Sequence, residues 1–268
     1  MRNFFISLAL LVISSPLLAT DSIINEYTYE YNFGEVNIGV DANQGNIVTV
    51  FDALELNGVN LSISGWADSG QLNSADKFDY DRVISAELQK VVDFGWAVKN
   101  SWESDGKHQT IDNTGDYPDF DFILFSFSEA VTLENLSFGW ASNNGSQEVS
   151  VAALGTAGFA ELTSEQSTWT EIVSDAISSS FSISNTLTST LDFNTASQYW
   201  LVGAYNTVFG ALDDGTVFND SFKISGINFT SSSTNDINEP PAEVSEPGAL
   251  ALMSLGLGLV LYRRKRRV

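Results

Sequence analysis

The stretch that decides the fold is Asp121-Phe122-Ile123-Leu124-Phe125-Ser126-Phe127-Ser128. Its first half is very hydrophobic, and in its second half phenylalanine alternates with serine, which is the two-residue period of a β-strand. Similar alternation recurs along the chain, and loops rich in Gly, Asn, Asp and Ser separate the alternating segments. We therefore predict strands at residues 27–33, 47–51, 60–66, 120–127, 199–204 and 222–229.

A hairpin is predicted shortly after this stretch. Residues 136–141 and 149–153 both alternate between apolar and small or polar side chains. Between them lies Asn144-Gly145, a turn signal because both residue types tolerate positive φ. The two segments are therefore expected to pair with each other.

The many short strands favour an all-β fold, an antiparallel β-sandwich of jelly-roll type, over residues 20–230. Only residues 82–92 have the spacing of a helix, with Ile84, Leu88 and Val91 or Val92 on one face. No internal repeat is evident, so we expect a single folded domain.

The charge of the chain is strongly negative. All 34 acidic residues lie between Asp21 and Glu246, where only six basic residues accompany them, so this part of the chain carries a net charge of about −28. Such a charge keeps a protein soluble and repels nucleic acid and anionic lipid. It favours divalent cations or neutral glycans as ligands. The chain has no cysteine, so the fold contains no disulfide.

The sequence selects no catalytic residue. A Ser–His–Asp triad would have to use His108, the single histidine, and no Gly-x-Ser-x-Gly motif accompanies it. A catalytic zinc site normally draws on several His or Cys ligands. A pair of carboxylates could serve a glycosidase, but no motif selects the pair. We predict that the protein is not an enzyme.

An acidic loop precedes the strand that begins near residue 120. Calcium prefers carboxylate and carbonyl oxygens from irregular loops, and the EF-hand pattern is absent. The candidate calcium ligands are Glu103, Asp112, Asn113 and Asp116. The alternative is a solvated acidic loop in which Asp112-Asn113 forms a turn and His108 hydrogen-bonds across it.

Six tryptophans are candidates for either the core or a glycan-binding surface. Trp140 and Trp200 are flanked by alternating strands, so we expect both in the core. Trp102 lies beside Glu103 and Ser104 in a polar loop, and it is the best candidate for an exposed indole that stacks on a sugar ring.

Both ends of the chain have the composition of export signals. Arg2, an apolar run at 4–13 and a segment ending at Ala19 follow the order of a secretory signal peptide over residues 1–19. Residues 231–245 are rich in Ser, Thr, Asn and Glu and include Pro240-Pro241, a composition typical of a disordered linker.

The C-terminal segment combines three features in order. Ser245-Glu246-Pro247 precedes an apolar run at 249–262 and the basic cluster Arg263-Arg264-Lys265-Arg266-Arg267. As a helix the apolar run is about 21 Å long, whereas a comfortable span needs about 20 residues. We therefore expect a transient transmembrane segment with its basic end in the cytoplasm; a plain single-span anchor is the alternative.

Residues 246–268 resemble the PEP-CTERM sorting signal of bacterial exosortase substrates, with Ser245 in place of the first proline. The resemblance implies that an exosortase-type enzyme in the inner membrane processes the chain near Ser245, Glu246 and Pro247. Residues 108–140 also resemble a segment of exosortase-sorted proteins in which a His-x-x-x-Asp-Asn turn leads into an aromatic strand and a hairpin. That likeness implies a β-sandwich surface domain.

These observations together predict an exported cell-surface or extracellular-matrix protein. Its role is expected to be non-catalytic, structural or adhesive, and linked to exopolysaccharide, after transient anchoring in the inner membrane through its C-terminus. Two alternatives stay open: a calcium-assisted carbohydrate-binding module, and a secreted glycan-active hydrolase. No nucleic-acid partner is expected.

Overall fold

A computed structural model describes residues 24–33, 47–48, 50–56, 58–68, 82–100, 109–114, 119–143 and 146–234. Most of them belong to one compact unit, Glu26–Ser233. The predicted signal peptide, linker and sorting segment lie outside the described residues, apart from residues 231–234. No helix among the described residues is long and apolar enough to cross a membrane.

The all-β prediction is confirmed, and strands lie at all six predicted places. The described strands are β1 (Ile24–Asn32), β2 (Ile47–Val48), β3 (Val50–Leu56), β4 (Val59–Ala67), β5 (Ile84–Val91), β6 (Gly95–Lys99), β7 (Ile111–Asp112), β8 (Asp121–Ala141), β9 (Glu148–Leu154), β10 (Ile177–Ser182), β11 (Thr188–Thr190), β12 (Ser197–Ala204) and β13 (Ser221–Thr234). The helices in the described residues are α1 (Thr156–Ser164), α2 (Trp169–Ile172) and a 3₁₀ turn at Thr207–Phe209.

Strand β8 organises the sheet because its two halves have different neighbours. Its N-terminal half pairs with β4 and β12, and its C-terminal half pairs with β13 and β11. The order of paired strands is β1-β13-β6-β5-β4-β8-β12-β9-β10, and the additional β13–β8 pairing leads back to β8. The long strand therefore joins strand groups that the chain visits far apart in sequence.

The two faces of β8 pack into different hydrophobic clusters. Ile123, Phe125 and Phe127 contribute to the larger cluster, which contains side chains from strands on both sides of β8. Phe122 and Leu124 point the other way and pack in a smaller cluster with residues of both helices. A strand that is buried on both faces has apolar residues at consecutive positions. This explains why the first half of residues 121–128 is hydrophobic without alternation.

The predicted hairpin is wrong. Residues 136–141 are the end of β8 and pair with β13 and β11, whereas β9 pairs with β10 and β12. Every residue of β9 is buried, because this strand lies between two neighbours and under α1. The hairpin implied within 131–140 is also absent, since β8 runs on through that segment. The turn signal Asn144-Gly145 lies outside the described residues.

The predicted helix at 82–92 is also wrong, since residues 84–91 form β5. Ala86 and Leu88 are buried while Glu87 is exposed, which is a two-residue period. Ile84 and Leu88 are four residues apart, a spacing that fits a helix and a strand equally well. Pairing with β4 and β6 decides in favour of the strand. The helix α2, by contrast, has a complete capping box formed by Thr168 and Glu171.

Of the two tryptophans predicted in the core, only one is fully buried. Trp200 is fully buried, as predicted, and its Nε1 donates to the carbonyl oxygens of Val131 and Ser197, both at 3.1 Å. Trp140 is only half-buried and belongs to neither hydrophobic cluster. The prediction for Trp140 is wrong because the register with β13 shifts by one residue at Gly139.

Candidate functional site

The structure describes two of the four candidate calcium ligands, Asp112 and Asn113. Glu103 and Asp116 lie outside the described residues, as do His108 and the candidate sugar-stacking residue Trp102. Asp112 is the last residue of β7 and Asn113 follows it directly, and both side chains are buried. The site is therefore built outward from these two residues.

Both oxygens of the Asp112 carboxylate accept hydrogen bonds from its own loop. Thr110 Oγ1 donates to Oδ2 at 2.5 Å, and the backbone N and Oγ1 of Thr114 donate to Oδ1 at 3.1 and 2.9 Å. This pattern of local side-chain-to-backbone bonding is typical of an Asx-type turn. Asp112 thus shapes the turn that follows β7.

Further carboxyl groups surround this turn. Asp121, fully buried at the start of β8, accepts from Asn100 Nδ2 at 3.2 Å and from the backbone N of Asp112 at 3.4 Å. Asp68, at the end of β4, accepts from the backbone N of Phe120 at 2.7 Å. Asp119 is also buried, and among the described residues its Oδ1 has no hydrogen-bond partner.

Burial changes the proton affinity of the pair formed by Asp68 and Asp119. Loss of water around Asp119, together with the charge of Asp112, raises the pKa of Asp119 to about 7, although a hydrogen bond with Asp68 partly offsets this. Burial also raises the pKa of Asp68 well above its usual value. Two buried carboxyl groups this close favour a shared proton over two charges.

Asn113 ties the turn to Asp220, which directly precedes the strand that pairs with β7. Its Nδ2 donates to Asp220 Oδ2 at 2.8 Å and to the carbonyl oxygen of Tyr205 at 2.9 Å. Its Oδ1 accepts from the backbone N of Asp220 at 2.9 Å, and its own N donates to the Asp220 carbonyl at 3.2 Å. A single side chain therefore links β7, the loop after β12 and the start of β13.

A second carboxyl pair lies beyond Asn113. Asp220 is fully buried, and its Oδ1 accepts from the backbone N of Glu148 at 2.6 Å. Burial raises the pKa of Asp220 to about 8; the hydrogen bonds from Glu148 N and Asn113 oppose that rise, and the charge of Glu148 adds to it. Glu148 is itself buried, with no partner for its Oε2 among the described residues.

These residues form one buried acidic cluster at the ends of β4, β7, β8, β9 and β13. Its carboxyl groups are at most 8% exposed, and they belong to Asp68, Asp112, Asp119, Asp121, Glu148 and Asp220.

The buried acidic cluster can hold protons and bind backbone amides. Taking charged carboxylates out of water costs several kcal/mol each unless a proton or a cation neutralises them. The ammonium of Lys223 is close enough for the charge of Asp112 to act on its pKa. Among the described residues no group of three or more acidic, histidine or cysteine side chains could hold a metal ion. Burial raises the pKa of Asp68, Asp119 and Asp220, so protons on these three residues can lower the charge of the cluster. The calcium site stays a prediction.

Sequence reasoning found Asp112 and Asn113 but missed Asp68, Glu148 and Asp220. Each of the missed residues lies at the end of a strand, where an acidic residue is ordinarily solvated. Asn113 and Asp220 are 107 residues apart, and nothing in one sequence signals that they meet. The only available hint was the polar sequence Asn219-Asp220 directly before the apolar alternation of β13.

Comparisons with known proteins add no relative: no protein-family model, curated protein or solved structure matches the chain.

Proposed function

We propose that this protein is an exported cell-surface or extracellular-matrix protein with a structural or adhesive, non-catalytic role. The observation that carries the proposal is the order of three features at the C-terminus. These are the Ser245-Glu246-Pro247 motif, the apolar run at 249–262 and the basic cluster at 263–267. An exosortase-type enzyme processes the chain there, after a signal peptide at 1–19 has directed it across the inner membrane.

The folded unit supports this role in two respects. Its dense apolar clusters and cysteine-free sequence suit a domain that must fold outside the cytoplasm without disulfides. Its most unusual polar feature, the buried acidic cluster, is closed to a substrate because its carboxyl groups are at most 8% exposed. Those groups bind backbone amides of neighbouring strands, which favours a part in holding the fold together.

Cell fractionation with tail variants tests the proposal. The wild-type chain, tagged between residues 231 and 245, is expected in the surface or extracellular fraction. A chain lacking residues 249–268 is expected to miss processing, and Glu246→Ala is expected to accumulate in the inner membrane with its tail uncut. Lys99→Ala, a change in the body, serves as the matched control and should sort normally. Equal sorting of all these chains would contradict the proposal.

A further inference from the structure

The β-bulge at Gly139 turns one aromatic side chain out of the core. Lys223 pairs with Trp140 and Ile224 pairs with Phe138, so Gly139 has no partner on β13. Phe138 and Ile224 are buried on the inner face. A bulge of this kind shifts the inward and outward alternation by one residue, and Trp140 and Lys223 therefore lie together on the outer face.

The turn between β5 and β6 brings a second ring to the same place. A Cβ atom at Gly139 would lie 2.3 Å from the carbonyl oxygen of Phe94, and one at Gly95 would lie 2.0 Å from that of Ile224. Only glycine fits at both positions, so the backbone of the turn packs directly on β8 and β13. Asp93 and Gly95 hold positive φ angles of 66° and 98° in this turn. The turn thereby holds the backbone of Phe94 against Gly139, the residue before Trp140.

Lys223 completes what we name the outer aromatic patch, formed by Phe94, Trp140 and Lys223. The Lys223 ammonium lies 4.1 Å from the centre of the Trp140 ring and 5.9 Å from that of Phe94. No carboxylate of the described residues lies within 4 Å of it. Partial burial lowers the pKa of Lys223, and the charge of Asp112 opposes this. Among the described residues, no carboxylate therefore uses the hydrogen-bond donors of this ammonium.

We propose that the outer aromatic patch binds neutral hexopyranose units of a polysaccharide. A pyranose presents C–H groups to an aromatic ring and hydroxyl oxygens to an ammonium, and Phe94 is 41% exposed. Asp93, exposed in the same turn, supplies an acceptor for sugar hydroxyl groups. A net charge of about −28 on the body, from 34 acidic and six basic residues between Asp21 and Glu246, disfavours polyanions. The inference rests on the proposed surface role and names the class of partner.

Affinity electrophoresis of the full-length protein in mild detergent tests the proposal. The gels contain an α-glucan, a β-glucan or a galactomannan, and a separate gel contains a uronate polymer. The wild-type protein is expected to be retarded by at least one neutral polysaccharide. Trp140→Ala should weaken that binding at least tenfold, and Phe94→Ala, which removes an exposed ring, should weaken it severalfold. Each variant is checked by its melting temperature.

Two controls separate this site from other aromatic residues. Phe218→Ala removes a ring that is 51% exposed elsewhere, and Trp102→Ala removes the other candidate for sugar stacking; both should bind like wild type. The proposal is overturned if no neutral polysaccharide retards the wild type, if only the uronate polymer does, or if folded Trp140→Ala and Phe94→Ala bind normally. Binding in a gel does not depend on export, so failure here and failure of sorting are distinguishable.

Discussion

The apolar core around Trp200 and the buried acidic cluster around Asp112 are both buried. The first consists of apolar side chains, whereas the second consists of carboxyl groups. In the core, Trp200 packs against Phe193 at 5.1 Å between ring centres, and its single polar atom donates to two carbonyls. In the acidic cluster, carboxyl groups accept hydrogen bonds from strand ends and from two asparagines. The difference teaches that the contacts of the core involve no titrating group, whereas the acidic cluster contains carboxyl groups whose pKa values burial raises.

The largest expected effect is in the core. Trp200→Ala removes a fully buried indole and should lower the free energy of unfolding by about 3–5 kcal/mol. Denaturant unfolding measures the loss, and Phe218→Ala, an exposed ring, should cost far less. The loss should be the same at pH 5 and pH 8, because no titrating group is removed. A strong pH dependence of this loss would contradict the contrast between the core and the acidic cluster.

The next effect is a pH dependence that the acidic cluster causes. Asp119 and Asp220 have pKa values raised to about 7 and about 8 in the folded chain, against roughly 4 when unfolded. Above the unfolded value the folded state binds more protons, so stability falls as pH rises toward 8. We expect each of these two groups to contribute a loss of about 3 kcal/mol between pH 5 and pH 8, which thermal or denaturant unfolding measures.

Asp119→Asn sharpens this prediction because an amide cannot ionise. The variant should be more stable than wild type at pH 8 and should flatten the pH profile. Asp213→Asn, a change at an exposed carboxyl group, should leave the profile unchanged. A profile that rises from pH 5 to pH 8 would contradict the account. A large rise in melting temperature with millimolar calcium at pH 8 would show that a cation replaces the protons.

A smaller effect is expected at the link between the two halves of the acidic cluster. Asn113→Ala leaves the backbone N of Asp220 and the carbonyl of Tyr205 without their partner. The expected loss is about 2 kcal/mol, measured by denaturant unfolding at pH 6. Asn143→Ala, at an exposed position, is the matched control. Equal stability of the two variants would show that this link contributes nothing.

The smallest expected effect tests whether a buried polar group without a charge contributes to stability independently of pH. Ser150 is fully buried, its Oγ lies 3.0 Å from Ser180 Oγ, and it accepts from the backbone N of Asn206 at 2.9 Å. Ser150→Ala should cost about 1 kcal/mol equally at pH 5 and pH 8, with exposed Ser174→Ala as control. If this cost grew with pH, the pH dependence could no longer be assigned to carboxyl groups alone.

The strands of this fold could be predicted from sequence, but their partners could not. Alternation located β4 and β13 because the period depends only on neighbouring residues. The hairpin at 136–153 was predicted wrongly because β8 and β9 each pair with strands distant in sequence. Trp140 was misplaced because a one-residue bulge, invisible in the sequence, reverses its face.

The candidate site was predictable in part for the same reason. Asp112-Asn113 is a local turn signal, and the hydrogen bonds from Thr114 to Asp112 match it, but both side chains are buried and not solvated. Asp220 and Glu148 join it only through long-range packing, and the raised pKa of Asp220 arises from burial that a sequence does not display. The calcium prediction for Glu103, Asp112, Asn113 and Asp116 stays untested, since two of these residues lie outside the described part of the chain.

The intact mass of the protein recovered from outside its native cells tests the central claim most directly. The account predicts a chain that begins near residue 20 and ends close to Glu246, so that it lacks the apolar run and the basic cluster. A full-length chain from Met1 to Val268 that stays inside the cells would contradict it.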